Sequence, residues 1–127
     1  MATVDHSTHF KRKELQCSFS GECQMQDWFM EKLEALRMDY NRPIRLSSAF
    51  RSIEHPRERT KPGGKGGRHT QGVAVDCLVY GEDALDLISL ALKHGFNGIG
   101  VSQKGDFNSR FIHLDIRQES SPAIWSY

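Results

Sequence analysis

The stretch His69-Thr-Gln-Gly-Val-Ala-Val-Asp76 constrains the fold most strongly, because it joins a glycine-rich loop to an apolar strand and carries two metal-competent side chains. Alternation along the strand gives one apolar face, made by Val73, Val75 and Cys77. Ala74 and Asp76 share the other face, where a small residue beside a carboxylate leaves space for an ion. Gly72 permits a sharp turn, which would return His69 to the side of Asp76.

A second strand near the end of the chain carries side chains of the same kind. In Phe111-Ile-His-Leu-Asp-Ile116, alternation puts His113 and Asp115 on one face and three aliphatic residues on the other, core-facing side. Two histidines and one aspartate, His69, Asp76 and His113, make a three-ligand zinc site with an open fourth position. The residues alone leave a second interpretation open, in which the histidines are structural and the aspartate anchors a turn.

Length and composition indicate one globular domain over residues 1–127. The chain has 38% hydrophobic and 26% charged residues, and its net charge of +1 does not indicate nucleic-acid binding. No stretch approaches the roughly 20 apolar residues that span a bilayer, so we expect no membrane insertion. Three cysteines without a Cys-x-x-Cys pair argue against a disulfide framework, and for Cys17 and Cys23 we favour reduced thiols over a bridge.

The hydrophobic periodicity predicts two principal helices and a small sheet. Apolar residues recur at three- and four-residue steps over 24–39 and again over 83–94. Asp83 suits the N-cap of the second helix, and Gly95 suits its left-handed C-terminal end. Strands are predicted at 44–48, 73–79, 96–101 and 111–116. Short turns between the late strands favour an α+β fold with a mainly antiparallel sheet.

Three segments lie outside this pattern. Residues 1–23 are polar and mixed, which predicts an N-terminal arm or short turns along the edge of the domain. Residues 56–68 are basic and rich in Gly and Pro, which predicts a flexible surface loop that is either simply solvated or steers an anionic substrate. Residues 125–127 are expected to fold back onto the body of the domain.

The motifs together resemble a known family. The His69–Asp76 element, preceded by Ser48-Ala-Phe-Arg51 and followed by Phe111-Ile-His-Leu-Asp115, resembles the zinc D-alanyl-D-alanine carboxypeptidase family, whose fold is shared with the Hedgehog signalling domain. The likeness runs from about His9 to the C-terminus. It is greatest to short phage- and prophage-type members, which include cell-wall endolysins.

The resemblance assigns roles to four side chains. It implies that His69, Asp76 and His113 bind Zn²⁺. It also implies that Arg51, which follows the first strand, is a catalytic and substrate-binding residue that holds a carboxylate or carbonyl oxygen of the substrate. A planar guanidinium suits both tasks.

The sequence departs from the family at the general base. Members place a histidine two residues before the last ligand or a carboxylate three residues before it, where this chain has Phe111 and Arg110. Asp115 is our candidate replacement, either as the base or as the carboxylate that orients a ligand histidine, although it could instead pair with a nearby arginine. Glu54 and His55 are the alternative candidates for the base.

The resemblance implies a zinc metallopeptidase that hydrolyses peptide bonds in peptidoglycan stem peptides, either as a DD-carboxypeptidase or as an endolysin-type endopeptidase. Two other hypotheses remain open. One is a catalytically weak or inactive zinc-stabilised module that binds cell wall or protein, and the other is a metal-free structural protein of a phage tail. We expect a monomer. Because the N-terminus lacks the apolar core of a secretory signal, we expect synthesis in the cytoplasm and action at the bacterial cell wall after phage-type release or virion delivery.

Overall fold

Seven strands and four helices make up the fold in the computed structural model, which describes residues 2–61, 63 and 66–127. The strands are β1 (Thr3–Val4), β2 (Met25–Gln26), β3 (Arg45–Ser48), β4 (Ala74–Leu78), β5 (Gly98–Ser102), β6 (Phe111–Asp115) and β7 (Ala123–Ser126). The helices are α1 (Arg12–Leu15), α2 (Asp27–Tyr40), α3 (Pro56–Arg59) and α4 (Gly81–Lys93), with a 3₁₀ turn at Phe107–Ser109.

The main sheet has five strands in the order β3-β4-β6-β5-β7. Antiparallel pairs join β3 to β4, β4 to β6 and β6 to β5, whereas β7 lies parallel to β5. The α+β class is therefore as predicted, but the sheet is mixed rather than mainly antiparallel. The difference arises after β6, where the chain turns back to the free edge of β5 and adds a strand that runs in the same direction as β5.

The two predicted helices contribute eight buried side chains to the core. The buried face of α2 is made by Phe29, Met30, Leu33, Leu36 and Tyr40, and that of α4 by Ala84, Leu87 and Ala91. These residues form one cluster with the apolar strand faces, including Val75, Cys77, Ile112 and Leu114. Within the described residues, no helix is long and apolar enough to cross a membrane.

The helix ends differ in part from the predictions. Helix α4 begins at Gly81, so Asp83 lies in its first turn and not at the N-cap. A carboxylate in the first turn still interacts favourably with the positive end of the helix dipole. Gly95 has φ of +89°, the left-handed conformation predicted for it at the end of this helix.

Two segments outside the predicted elements contain secondary structure. The predicted arm, described from residue 2, forms β1 and α1, and buries Phe10 and Leu15. Residues 56–59, predicted as part of a flexible loop, form α3, because Pro56 suits the first position of a helix and the His55 ring accepts a hydrogen bond from the Arg57 N–H. Residues 62, 64 and 65 of the predicted loop lie outside the described residues.

Two glycines of β5 make room for side chains from both neighbouring strands. The register places Gly98 opposite Asp115 and Gly100 opposite His113. A Cβ atom at Gly98 would lie 1.9 Å from Oδ1 of Asp115, and one at Gly100 would lie 2.7 Å from Nε1 of Trp125. The Gly-x-Gly pattern therefore leaves one face of the sheet open for the polar residues of β6.

Candidate metal site

The three predicted metal ligands come together where β4 and β6 pair. The register places Asp76 directly opposite His113, and His69 reaches the same point from the turn before β4. Each of the three side chains is buried, and one ligand atom from each lies within 4.8 Å of the others. Asp76 Oδ1 is 3.0 Å from Nδ1 of His113 and 3.4 Å from Nε2 of His69.

A tight turn directs His69 towards the strand. Gly72 has φ of +75°, and a Cβ atom there would lie 2.2 Å from the carbonyl oxygen of Gln24, so only glycine fits. The Gly72 N–H donates to the carbonyl oxygen of His69 at 3.2 Å and closes the turn. Nδ1 of His69 donates to the carbonyl oxygen of Ala49 at 2.6 Å, which leaves Nε2 facing Asp76.

The ring of His113 is fixed from its other side by Asp115. Nε2 of His113 lies 2.7 Å from Oδ2 of Asp115, so that Nδ1 faces Asp76. Asp115 is completely buried, and Arg117 donates to both of its oxygens at 2.9 Å. Burial opposes ionisation, but the hydrogen bonds from His113 and Arg117 lower the pKa of Asp115 to about 2. Both carboxylate oxygens of Asp115 therefore already have partners.

The electrostatics favour a charged carboxylate among the imidazoles. Burial raises the pKa of Asp76, but hydrogen bonds from His113 and His69 outweigh it and hold that pKa well below its usual range. Burial lowers the pKa of His69, which favours the neutral ring. Burial also opposes the charged form of His113, but hydrogen bonds with Asp115 and Asp76 outweigh it and raise the pKa of that ring. A neutral imidazole is the form that binds a metal ion.

This donor set fits zinc. Two imidazole nitrogens and one carboxylate oxygen are zinc ligands, and three protein ligands are typical of catalytic sites. Each histidine turns one nitrogen towards Asp76 and uses the other in a hydrogen bond, to the Ala49 carbonyl oxygen or to Asp115. Metal-ligating histidines are usually held in this way.

Arg51 is buried at the edge of the same cluster. Its Nη2 donates to Oδ2 of Asp76 at 3.2 Å, its Nη1 to Oε2 of Glu58 at 3.2 Å and its Nε to Oγ of Ser48 at 3.0 Å. These contacts hold the guanidinium group beside Asp76 in the lining of the site, and the family resemblance implies a substrate-binding role for this arginine.

Glu58 is a residue of this region that the sequence analysis does not identify. Its side chain is completely buried and accepts hydrogen bonds from the Gly67 N–H at 2.7 Å, from Oγ1 of Thr70 at 3.1 Å and from Arg51. Burial raises its pKa, but hydrogen bonds from Gly67, Lys61 and Arg51 outweigh this and lower the pKa to about 2. The available signal was a proline followed two residues later by an acidic residue, a pattern typical of a helix start.

The three candidate ligands line an open cleft of about 660 Å³ together with two groups of side chains. The first group, which we call the cationic wall, consists of Arg51, Arg57, Lys61 and Arg68. The second group, which we call the aromatic wall, consists of Phe111, Trp125 and Tyr127. The sequence does not predict a site role for the aromatic wall, because its residues are separated along the chain and two of them follow the last predicted strand.

The two alternative bases lie away from this cleft. Glu54 is exposed, and neither Glu54 nor His55 is among the described residues that line the cleft. His55 lines an adjoining hollow of about 370 Å³ together with Arg51 and Asp76, and its Nδ1 accepts a hydrogen bond from the Arg57 N–H. Burial and the nearby Arg51 lower the pKa of His55.

Comparison with known proteins supports the family resemblance. A family model described as Peptidase M15 matches residues 8–115, which is most of the chain. No curated protein matches the chain. The match confirms the predicted likeness to the zinc D-alanyl-D-alanine carboxypeptidase type of peptidase. Peptidases of this family are zinc-dependent, and the cluster of His69, Asp76 and His113 is able to hold a metal ion.

Replacing Glu58 by glutamine tests whether this buried carboxylate holds the cationic wall in place. The variant leaves Arg51 and Lys61 without their shared counter-charge, and we expect the free energy of unfolding at pH 7 to fall by about 3 kcal/mol. Urea unfolding followed by circular dichroism measures the change. The matched control is Glu54→Gln, which alters an exposed carboxylate four residues away and should change the free energy by less than about 0.5 kcal/mol.

The stability that Glu58→Gln loses should depend on pH. Because the pKa of Glu58 falls from its usual 4.5 to about 2 on folding, its contribution is present above pH 4.5 and is lost as the pH falls towards 2. The stability difference between the wild type and Glu58→Gln should therefore shrink between pH 5 and pH 3. A difference that is absent at pH 7, or that stays constant over this range, would contradict the assignment.

Proposed function

We propose that this chain, which belongs to the peptidase M15 family, is a zinc metallopeptidase that hydrolyses peptide bonds in peptidoglycan stem peptides. The observation that carries the proposal is the meeting of His69, Asp76 and His113 at an open cleft, with one ligand atom from each within 4.8 Å of the others. We propose that it acts either as a DD-carboxypeptidase or as an endolysin-type endopeptidase. We also propose that it acts at the bacterial cell wall after phage-type release or virion delivery.

The ligand set defines what a metal ion would do here. Zinc held by these three side chains supplies Lewis-acid chemistry, because it polarises a carbonyl group and acidifies water. His69 would offer Nε2 and His113 would offer Nδ1, since the other ring nitrogens have hydrogen-bond partners. The protein contributes the donor set and the hydrogen bonds that orient both imidazole rings.

We assign Arg51 to the substrate. Its guanidinium group lines the cleft beside Asp76 and is held there by Ser48 and Glu58. A fixed guanidinium binds the planar carboxylate of a peptide end or stabilises negative charge on the oxygen of the scissile carbonyl. The rest of the cationic wall supports this role, because stem peptides carry free carboxylates that such a surface attracts.

We assign Asp115 as a positioning residue that orients His113, and not as the general base. A carboxylate acts as a base only if one of its oxygens is available to take a proton. Both oxygens of Asp115 accept hydrogen bonds from Arg117, and one of them also accepts a hydrogen bond from His113. His55 lines a hollow that Asp76 also lines, but its Nδ1 accepts a hydrogen bond from the Arg57 N–H, so a neutral ring carries its proton on Nε2 and has no lone pair left for a base. Glu54 is exposed and does not line the cleft, so we assign none of the three candidates as the general base.

The hydrogen bonding of the carboxylates in the cleft favours a second candidate function. The described residues that line the cleft include two carboxylates, Asp76 and Asp115, and both are engaged by neighbouring side chains. A zinc-stabilised module that binds cell wall without cutting it has no need for a base. This alternative predicts bound zinc without turnover.

Zinc analysis and hydrolysis of purified sacculi test the proposed function. The wild type should hold about one zinc per chain and release peptides that are detected by liquid chromatography and mass spectrometry. His69→Ala and His113→Ala should each lose both properties, because two ligands hold zinc poorly. The matched control is His6→Ala, which removes an exposed histidine and should leave both unchanged.

The outcomes separate the candidate functions. Zinc without hydrolysis would favour the binding module. Well under one zinc per wild-type chain would overturn both hypotheses and favour a metal-free structural protein. Wild-type lysis of sacculi by either histidine variant would defeat the assigned ligand set.

The variant Asp115→Asn distinguishes a positioning role from a general base. We expect zinc affinity to fall by about 10- to 100-fold, as for other partners of ligand histidines, with kcat largely recovered at saturating zinc. If Asp115 were the base, kcat would stay lower by about 100-fold or more at saturating zinc, and the acidic limb of the pH–rate profile would disappear. The control Asp106→Asn changes an exposed aspartate in the loop before β6 and should affect neither value.

A further inference from the structure

The C-terminal segment of the chain contributes to the lining of the cleft, although it lies beyond the residues that the family model matches. The match ends at residue 115, whereas β7 spans Ala123–Ser126. Trp125 of β7 and Tyr127, the residue after β7, line the cleft. Two of the three residues of the aromatic wall therefore lie outside the region that the family match describes.

Trp125 lies against one of the candidate metal ligands. In the parallel pairing of β5 with β7, Trp125 lies opposite Gly100, which has no side chain to obstruct it. A Cβ atom at Gly100 would lie 2.8 Å from Cε2 of the indole. The indole ring reaches His113, with 5.0 Å between ring centroids, and the guanidinium carbon of Arg117 lies 5.4 Å from its centroid.

Tyr127 lies next to both other rings of the aromatic wall. Its ring centroid lies 6.5 Å from that of Trp125 and 5.1 Å from that of Phe111. The Tyr127 N–H donates to the carbonyl oxygen of Val101 at 3.2 Å, and Nζ of Lys104 donates to the carbonyl oxygen of Tyr127 at 2.7 Å. The backbone is thus tied to the sheet, while half of the tyrosine surface remains exposed.

A purely structural role does not explain this arrangement well. Aromatic side chains that serve only the core are buried, whereas all three residues of the aromatic wall keep accessible surface in the cleft. Aromatic rings offer a large apolar contact area at a small cost in conformational entropy. The cationic wall faces the same space and suits carboxylates. A ligand that contacts both groups would need an acidic part and an apolar part.

We infer that the aromatic wall is a substrate-binding surface and that Trp125 is a specificity-determining residue. It holds the apolar, methyl-bearing face of the peptide next to the scissile bond, while the carboxylates of the peptide face the cationic wall. This inference rests on the proposed function, since it assumes a stem-peptide substrate at the same cleft. It adds that residues beyond the matched region select the peptide.

Kinetics of Trp125→Ala test the inference with the synthetic pentapeptide L-Ala-γ-D-Glu-L-Lys-D-Ala-D-Ala on the zinc-loaded protein. Loss of a central aromatic contact should raise KM by about tenfold and change kcat by less than about threefold, with zinc content unchanged. Trp125→Phe keeps a ring and should recover most of the loss. The matched control Ile124→Ala removes a 75% exposed side chain of the same strand and should behave as the wild type.

Binding separates failure of this inference from failure of the proposed function. If the wild type binds the pentapeptide without cutting it, the peptidase assignment fails, and calorimetry should still show a dissociation constant about tenfold weaker for Trp125→Ala. If the wild type cuts the peptide and Trp125→Ala has an unchanged KM, the aromatic wall has no substrate role. If Trp125→Ala loses zinc and Trp125→Phe does not regain it, Trp125 serves only to support His113. That result would overturn the inference. A wild type that neither binds nor cuts the peptide overturns it as well.

Discussion

The pairing of β4 with β6 is the constraint on which the rest of the molecule depends. Its register sets Asp76 against His113, and the same register sends the alternate residues Val75 and Leu114 into the core. A slip of one residue would exchange the two faces of a strand, because side chains alternate with a period of two. Burial of the apolar face therefore fixes the polar face, and the hydrophobic core indirectly positions the candidate ligands.

Charged groups on that polar face and on the neighbouring helix α3 are tolerated because each has a partner. Asp115 is balanced by Arg117 and His113, and Glu58 by Arg51 and Lys61. Buried ion pairs of this kind add little net stability, since desolvation offsets most of their attraction. Their value here is geometric, because they hold imidazole rings and a guanidinium group in one orientation before a ligand arrives.

The sequence predicted those parts that local periodicity determines. Alternation in β6 and the turn at Gly72 led directly to the cluster of His69, Asp76 and His113. Local periodicity could not reveal Glu58, because Gly67 and Thr70, which donate hydrogen bonds to Glu58, approach it only through tertiary folding. Strand β7 was missed for a related reason. Four residues with no regular polar alternation acquire strand structure from the free edge of β5, which is a non-local contact.

X-ray absorption spectroscopy of the zinc-loaded protein tests most directly the claim that His69, Asp76 and His113 bind one zinc ion. The structure predicts a first shell of nitrogen and oxygen at about 2.0–2.2 Å, with the multiple-scattering pattern of two imidazole rings. A spectrum of the wild type that fits fewer than two imidazole rings would contradict the assignment of His69 and His113. A sulfur shell at about 2.3 Å would instead place zinc on cysteine and contradict the proposed site.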